Sequence, residues 1–422
     1  MSVPTSTLRD MVSLPVPPSL LDGAEVADVV VWVDTHLGDL TLEGPGGVAA
    51  GGLRGGQAAA DAALATLDVT GYARSRSTVL PVGRRGATRL SPYIRHGLLP
   101  LPQVWQATAH APSRDRGRYH DELLWQEYAR HLYSRVGAGL GEPLRREAPV
   151  PAARWEGEPW PERMRCMQSV VGELHDDGWV VNQARMWLAS QWAVRAGADW
   201  REGEQAMYAH LLDGSRAANR LGWQWTVGVG SGKPYGFSRW QVEKRAPSLC
   251  ASCGLKKACP IEGWPDAEPG PAVQGPDLGR AEIPAGPATV QGTGAGERVW
   301  LTAESLGVDD PALAADEARP AVFVFDEPLL RTLRLSGKRL VFLAETLGEL
   351  AAGRPLDVRR GVVTDELAGL ALAATWSPVP GWARRAASLD VVETHPWPWL
   401  VRPRPAPVQS FTAWRRGVGA PS

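Results

Sequence analysis

Residues 266–296, DAEPGPAVQGPDLGRAEIPAGPATVQGTGAG, divide the chain. A stretch this rich in Gly and Pro, with few large apolar side chains, reads as a linker. The two lengths it separates have different rhythms. From about residue 53, apolar residues recur at spacings of three and four in QAAADAALATL (57–67), DELLWQEYARHLYSRV (121–136), MRCMQSVVGELHDDGW (164–179) and NQARMWLASQWAVRAG (182–197). That is helical periodicity, and no strand run stands out between 55 and 260. Beyond the linker come short β-branched and aromatic runs, RVWLTAE (298–304), AVFVFDE (321–327) and LDVRRG (356–361), with an amphipathic segment, KRLVFLAETLGELAAG (338–353), among them. Strands alternating with helices predict a parallel sheet with crossover helices. The expected fold class is therefore α plus α/β: an all-helical domain over 53–265, then a Rossmann-like parallel α/β domain over 297–403. Residues 404–422 read as a terminal connecting segment. Residues 1–52 read as a linker or wrapping arm, in which the apolar run VADVVVWV (26–33) is one strand.

At 422 residues the chain is too long for one ordinary core. No 18-residue apolar run predicts a membrane-spanning helix, and the start, MSVPTSTLRDMVSLPVPP, lacks the basic-then-apolar build of a signal peptide. A cytoplasmic protein, away from membranes and monomeric, is the expectation. Charge is uneven. Residues 53–260 hold 28 Lys+Arg and 19 Asp+Glu, a balance of +9, whereas the whole chain is −1. A basic helical domain in a neutral chain suits a polyanionic partner. The same segment holds 11 of the 19 tryptophans. Such a set can be core, a stacking platform for bases, or a route for electrons.

Four cysteines in the whole chain exclude a disulfide scaffold. Cys250, Cys253 and Cys259 form C-x2-C-x5-C, followed by Pro260, and Cys166 lies far upstream. Three thiolates on one tight loop can face one centre, and a fourth from a distant helix would close it. Four thiolates suit a [4Fe–4S] cluster or a structural zinc. Lys256 and Lys257 would offset the thiolate charge.

The densest polar signal lies in 178–225. Asn182, Arg185 and Met186 share one helix face by their spacing. Asp213 and Asn219 sit on a Gly-punctuated stretch that ends in Trp223 and Trp225. An Arg–Asp pair in a Trp-rich pocket can hold a planar aromatic cofactor, and an amide such as that of Asn219 can bond a ring nitrogen without imposing charge.

The segments GWVVNQARMWLAS, DWREGEQ and LLDGSRAANRLGWQW resemble the FAD-binding signature of the photolyase/cryptochrome family. GGQAAADAAL, ATRLSPYIRHGLLP and DELLWQEYARH match in the same order, so the resemblance covers about 53–245. It implies a helical domain cradling FAD, and light-driven electron transfer from reduced FAD to a flipped-out cyclobutane pyrimidine dimer in UV-damaged DNA, a carbon–carbon lyase reaction. The resemblance places Tyr72, Thr88, Leu90 and Ser91 on the FAD phosphates and ribityl chain. It makes Arg185 and Asp213 an ion pair beside the ring system and sets Asn219 against it, with Asn182 also a cofactor contact. Glu122, Trp125, Asn182, Met186 and Trp225 correspond to positions that touch the dimer. Trp223 and Trp200 correspond to the first two members of an electron chain, and Trp155 stands out of register for the third. Gln126 replaces a usual Arg and Ser215 a usual Asp.

MRCMQSVV and LCASCGLKKACPIEGWP resemble the iron–sulfur bacterial members, which implies a [4Fe–4S] cluster on Cys166, Cys250, Cys253 and Cys259 rather than zinc. Members that repair (6-4) photoproducts carry His where this chain has Val180, Val181 and Asn182, so cyclobutane dimers are the expected lesion. VWLTAESLGVDDPAL resembles the first strand of the family's antenna domain, and PVQSFTAWRRG its exit, whereas the linker SLPVPPSLL stands at the N-terminus. The resemblance thus implies circularly permuted domains, with an antenna-type α/β domain placed last and an antenna chromophore of unknown identity. A cryptochrome-like blue-light photoreceptor and a (6-4) photolyase are the alternatives.

Overall fold

The computed structural model describes residues 13–279, 284–405 and 408–418. The first twelve residues of the stretch read for a signal peptide, and Pro407 at the start of PVQSFTAWRRG, lie outside the described residues.

The helical half forms where the periodicity places it. The run VADVVVWV does not follow its expectation. It lies in helix α1 (Val26–Leu37), which corrects the strand reading. Its valines are β-branched, yet Val29, Trp32, Val33 and Leu37 fall on one buried face at helical spacing. Glu25 and Asp28 form a reciprocal capping box that fixes the start. Tertiary burial of that face outweighs the β preference of valine. The long α2 (Ser113–Val136) buries Tyr119, Leu123, Tyr128 and Leu132 on its inner side. It is followed by α3 (Arg165–Asp177), closed by Gly178 at φ 70°, and α4 (Asn182–Ala189). A π-helical turn, Ser190–Arg195, continues α4. Next come α5 (Trp200–His210), capped by the Asp199 carboxylate, and α6 (Arg216–Val227), capped by the Ser215 hydroxyl.

Two departures from an all-helical domain occur. Strand β2 (Val150–Pro151) pairs antiparallel with β3 (Ala267–Glu268), so the first residues of the linker are pinned to the helical half. The linker's far end is likewise held, by β4 (Gln291–Gly292).

The α/β half is built on one seven-stranded sheet. Its order is β1 (Ser13–Leu14), β7 (Leu356–Gly361), β6 (Ala321–Asp326), β5 (Arg298–Leu301), β8 (Leu372–Thr375), β9 (Val391–His395), β4. The five central strands run parallel. β1 and β4 add antiparallel edges. The strand order reverses about β5, which opens a crevice at the carboxyl ends of β5 and β8. Helix α7 (Gly337–Gly353) covers one face and α1 packs on it. Residues 13–40 are thus built into this half rather than wrapped loosely around it. β8 and β9 went unforeseen, because LAAT and VVETH are too short and weakly patterned to stand out.

The C-terminal segment also carries structure. Helix α8 (Phe411–Gly417) docks on α2. The Trp414 indole N–H donates to His131 Nδ1 at 3.1 Å, while His131 Nε2 meets the Val401 carbonyl at 2.8 Å. One turn earlier on α2, fully buried Glu127 accepts from the Val401 N–H at 2.8 Å. Burial pushes the Glu127 carboxyl up to about 7. A folded value above the unfolded one adds stability at low pH that is lost as pH rises through about 7. Relative to Glu127→Gln, the wild-type chain should therefore gain about 3 kcal/mol between pH 8 and pH 4.5. Denaturant melts of both proteins across that range check it, and parallel pH profiles would remove the role.

Candidate functional site

The helical half and the crevice of the α/β sheet enclose one continuous cavity of about 1160 Å³. Ordinary small-molecule sites occupy about 300–1,000 Å³, so this one suits an extended ligand of dinucleotide size.

One wall is the turn between Thr88 and Ser91. Arg89 sits there at φ 58°, a left-handed conformation unusual outside glycine and frequent at functional turns. Thr88 Oγ1 meets the Tyr119 hydroxyl at 3.3 Å, and Ser91 Oγ accepts from the Trp179 indole N–H at 3.0 Å. Leu90 caps the short helix that Ser91 begins. Tyr72 packs edge-on to Tyr119 with ring centroids 5.0 Å apart, and burial raises its phenol. All four predicted residues of this wall line the cavity.

The opposite wall is made by α4, the loop before α6, and α6 itself. Arg185 on α4 donates from Nη2 to Asp213 Oδ2 at 2.7 Å and from Nε to the Val180 carbonyl at 3.0 Å. Asp213 is 7% exposed. Its other oxygen, Oδ1, is buried without a partner, as are Asn219 Nδ2, Trp223 Nε1 and Arg89 Nε. Asp213, Asn219, Trp223 and Arg89 all line the cavity. Buried polar atoms are rarely left unmatched unless a ligand or water takes them, and here an acceptor and three donors converge on one space. A flavin, whose ring edge alternates donors and acceptors, fits this set.

Toward solvent the lining changes character. Trp225 is 46% exposed. Asn182 is exposed too, with Nδ2 3.9 Å from Met186 Sδ. Trp125 meets Phe411 edge-on at 5.1 Å. Glu122 is ion-paired with Arg76, and burial raises its carboxyl against the pull of Arg76. Gln126 lies beside them.

Trp200 departs from expectation. It is buried, but it does not line the cavity. Among the described residues no aromatic ring pairs with it, and its face is covered by the Arg201 guanidinium at 5.1 Å. The spacing between Trp200 and Trp223 does not reveal this, because helix packing turns Trp200 away. Trp155 bonds its own loop through the Glu158 carbonyl.

Several lining residues carry no sequence signal. Tyr208 lies under Arg216, 3.9 Å from its ring centroid, and under Arg339 at 5.1 Å. Burial opposes ionisation of its phenol, but Arg339, Arg95 and Arg216 together pull it below the usual range. Arg339 comes from α7, so only the tertiary fold brings it here. Beyond it the cavity reaches the carboxyl ends of β5 and β6, at Thr302 and Asp326. There Trp300 and Trp382 stack 10° from parallel with centroids 6.0 Å apart.

Cys166, Cys250, Cys253 and Cys259 line a second cavity of about 20 Å³, beneath Arg239 and Lys256. α3 supplies Cys166, and the turn after Pro247–Ala251 supplies the rest. All four are free thiols. Burial raises Cys166 to about 12 and Cys250 to about 11. Among the described residues, no three His, Cys, Asp or Glu side chains converge closely enough to hold a metal ion. No described helix is long and apolar enough to cross a membrane.

The cavity, its Arg–Asp pair and its unmatched polar atoms define a flavin-binding helical domain. Residues 164–244 match a family described as the FAD binding domain of DNA photolyase. The deoxyribodipyrimidine photo-lyase of Synechococcus sp. is 31% identical over 166 residues, 34% of this chain and 33% of that protein. A Thermus thermophilus protein of the same name is 34% identical over 160 residues, covering 34% and 36%, and that of Escherichia coli is 31% identical over 163 residues, covering 35% and 34%. The chain therefore spans about a third of the length of the curated relatives it matches. A bacterial class III photolyase structure from Agrobacterium tumefaciens is 26% identical with a TM-score of 0.38, over 46% of this chain and 43% of that one. This chain belongs to the photolyase/cryptochrome family.

Proposed function

We propose that this protein is a light-driven deoxyribodipyrimidine photolyase acting on cyclobutane dimers in UV-damaged DNA. The observation that carries the reading is the cavity itself. Unmatched buried polar atoms lie at its floor, and an exposed Trp225, Met186 and Asn182 lie at its mouth.

Bound in reduced form, FAD supplies an excited-state electron to the lesion. The chain's own residues do the rest. Arg185 and Asp213 hold the ring, and Asn219 donates to it from Nδ2. Thr88, Leu90 and Ser91 form the turn that receives the phosphates, near backbone N–H groups at a helix start. Tyr72 closes that end. The net +9 of residues 53–260 draws the DNA backbone, an attraction that salt weakens. Trp125 and Trp225 offer stacking faces to a dimer swung out of the helix. Glu122 and Met186 lie between these faces and the floor. Val180 and Val181 are buried and apolar where a histidine pair would serve (6-4) chemistry.

The same reading extends to the rest of the chain. The helical domain spans 53–265. The α/β half is an antenna-type domain, circularly permuted to the C-terminal side, with its crevice open to a second pigment. Four cysteines facing one small cavity without closing on a single ion suit a polynuclear iron–sulfur cluster better than zinc. A DNA substrate places the protein in the cytoplasm, as a monomer.

Protein reconstituted with FAD, reduced and mixed with a dimer-containing oligonucleotide, should restore normal thymines under blue light and not in darkness. Bound flavin without light-dependent repair would overturn the assignment in favour of a photoreceptor. Trp225→Ala should weaken binding to the dimer oligonucleotide by about 1–3 kcal/mol while leaving flavin content intact. Equal binding by both proteins in a fluorescence titration would remove Trp225 from the lesion site.

A further inference from the structure

We propose that electrons reach the flavin cavity through Trp160, Trp192 and Trp223, in that order from the surface inward, and not through Trp200. The inference rests on the reading that the cavity holds FAD.

Trp223 is 1% exposed and lines the cavity. Its outer edge rests on Gly203 of α5. A methyl group at that glycine would lie 2.4 Å from Trp223 Cη2 and 2.7 Å from Trp192 Cδ1. Both indoles therefore lean on the same Cα, and the glycine supplies a close approach that any side chain would break. Trp192 in turn meets Trp160 edge-to-face, with centroids 4.8 Å apart at 65°. Trp160 and Trp192 are half-buried, so the series ends at solvent.

The rings are held rigidly. Trp192 Nε1 donates to the Asp199 carbonyl at 2.8 Å, and Trp160 Nε1 to the Leu188 carbonyl at 2.9 Å. Trp192 lies in the π-helical turn Ser190–Arg195. The wider turn re-aims side chains relative to α4, and such turns concentrate at functional sites. Trp200, by contrast, has neither an aromatic neighbour among the described residues nor access to the cavity. Electron tunnelling falls steeply with the gap between donors, so the contiguous indoles win over the isolated one.

The electron balance is simple. Light moves one electron from Trp223 into the cofactor. Trp192 refills Trp223, and Trp160 refills Trp192. The vacancy on Trp160 is filled from an external thiol. Over two such events two thiols lose two electrons and two protons and join as a disulfide.

The test compares FAD-loaded wild type with Trp160→Phe, Trp192→Phe and Trp200→Phe by flash absorption, with dithiothreitol as the thiol. Trp192→Phe and Trp160→Phe should shorten the tryptophan-radical lifetime and slow steady photoreduction at least tenfold. Trp200→Phe should stay within twofold of wild type. Circular dichroism of the flavin-free proteins gives an independent readout. The edge-to-face pair should add an exciton couplet that wild type and Trp200→Phe keep, and that Trp160→Phe and Trp192→Phe lose without loss of helix. Slowed photoreduction in Trp200→Phe alone, or a wild type lacking the couplet, overturns the route. Wild type that binds flavin but is not photoreduced also overturns it and leaves the cofactor reading standing, whereas wild type that binds no flavin defeats the cofactor reading first.

Discussion

Arg185→Leu is expected to abolish flavin retention and to destabilise the flavin-free protein by about 3–5 kcal/mol. Asp213 lies at the floor of the cavity with one oxygen on Arg185 and the other unpartnered. Removing the guanidinium leaves a buried carboxylate with no compensating charge, and such charges are costly. The same guanidinium also braces the loop before α4 through the Val180 carbonyl. Adding Asp213→Asn to Arg185→Leu removes the stranded charge, so the double variant should regain part of the lost stability while still failing to hold flavin. Urea unfolding and flavin titration of the single and double variants separate these effects. An Arg185→Leu protein within about 0.5 kcal/mol of wild type, the scale of an ordinary surface change, would show that the pair does not organise the cavity.

This pair was legible in the sequence because its partners belong to two dense motifs whose spacings are local. The same holds for the turn at Thr88–Ser91 and for the helices themselves, whose periodicity is a property of neighbouring residues. What escaped depends on distant packing. Trp192 sits in a run read correctly as helical, but nothing in its spacing reports that it meets Trp223 across Gly203. Trp200 looked like the natural next step because it precedes Trp223 in a familiar motif, and only the packing of α5 turns it aside. Arg339 and Tyr208 come from opposite halves of the chain and meet at 5.1 Å. The valine run of α1 misled for a related reason. Its β preference is intrinsic, whereas the face it buries against α7 is decided by residues about three hundred positions away.

Cys253→Ser is expected to empty the second site of metal and to release residues 247–264 to proteolysis. The four cysteines come from two places that the local backbone does not otherwise join, the first turn of α3 and the loop after Pro247–Ala251. That loop is rich in turns and carries few buried side chains, Leu249 and Ile261 being the main ones. A shared centre would act as a cross-link between loop and helix, and its loss should destabilise on the scale of a structural cross-link, about 2–5 kcal/mol. The sulfurs face one space, yet among the described residues no three converge on a single ion. A centre of several metals with bridging atoms spans such a spread, and one tetrahedral zinc, with sulfurs about 2.3 Å from the ion, does not. Anaerobically purified wild type should accordingly contain about four irons per chain, with Cys253→Ser and Cys166→Ser containing none. One zinc per chain would replace the cluster with a structural ion. Metal-free wild type whose loop resists protease as well as Cys253→Ser does would show that the thiols only pack. If the cluster is there, Arg195 stands between it and the flavin side. Its guanidinium donates to the Phe237 carbonyl at 2.6 Å and the Gly263 carbonyl at 2.9 Å, from the same π-helical turn that carries Trp192. Loosening the cysteine loop should then disturb Trp192 too, and photoreduction in Cys253→Ser should slow even where flavin content is unchanged.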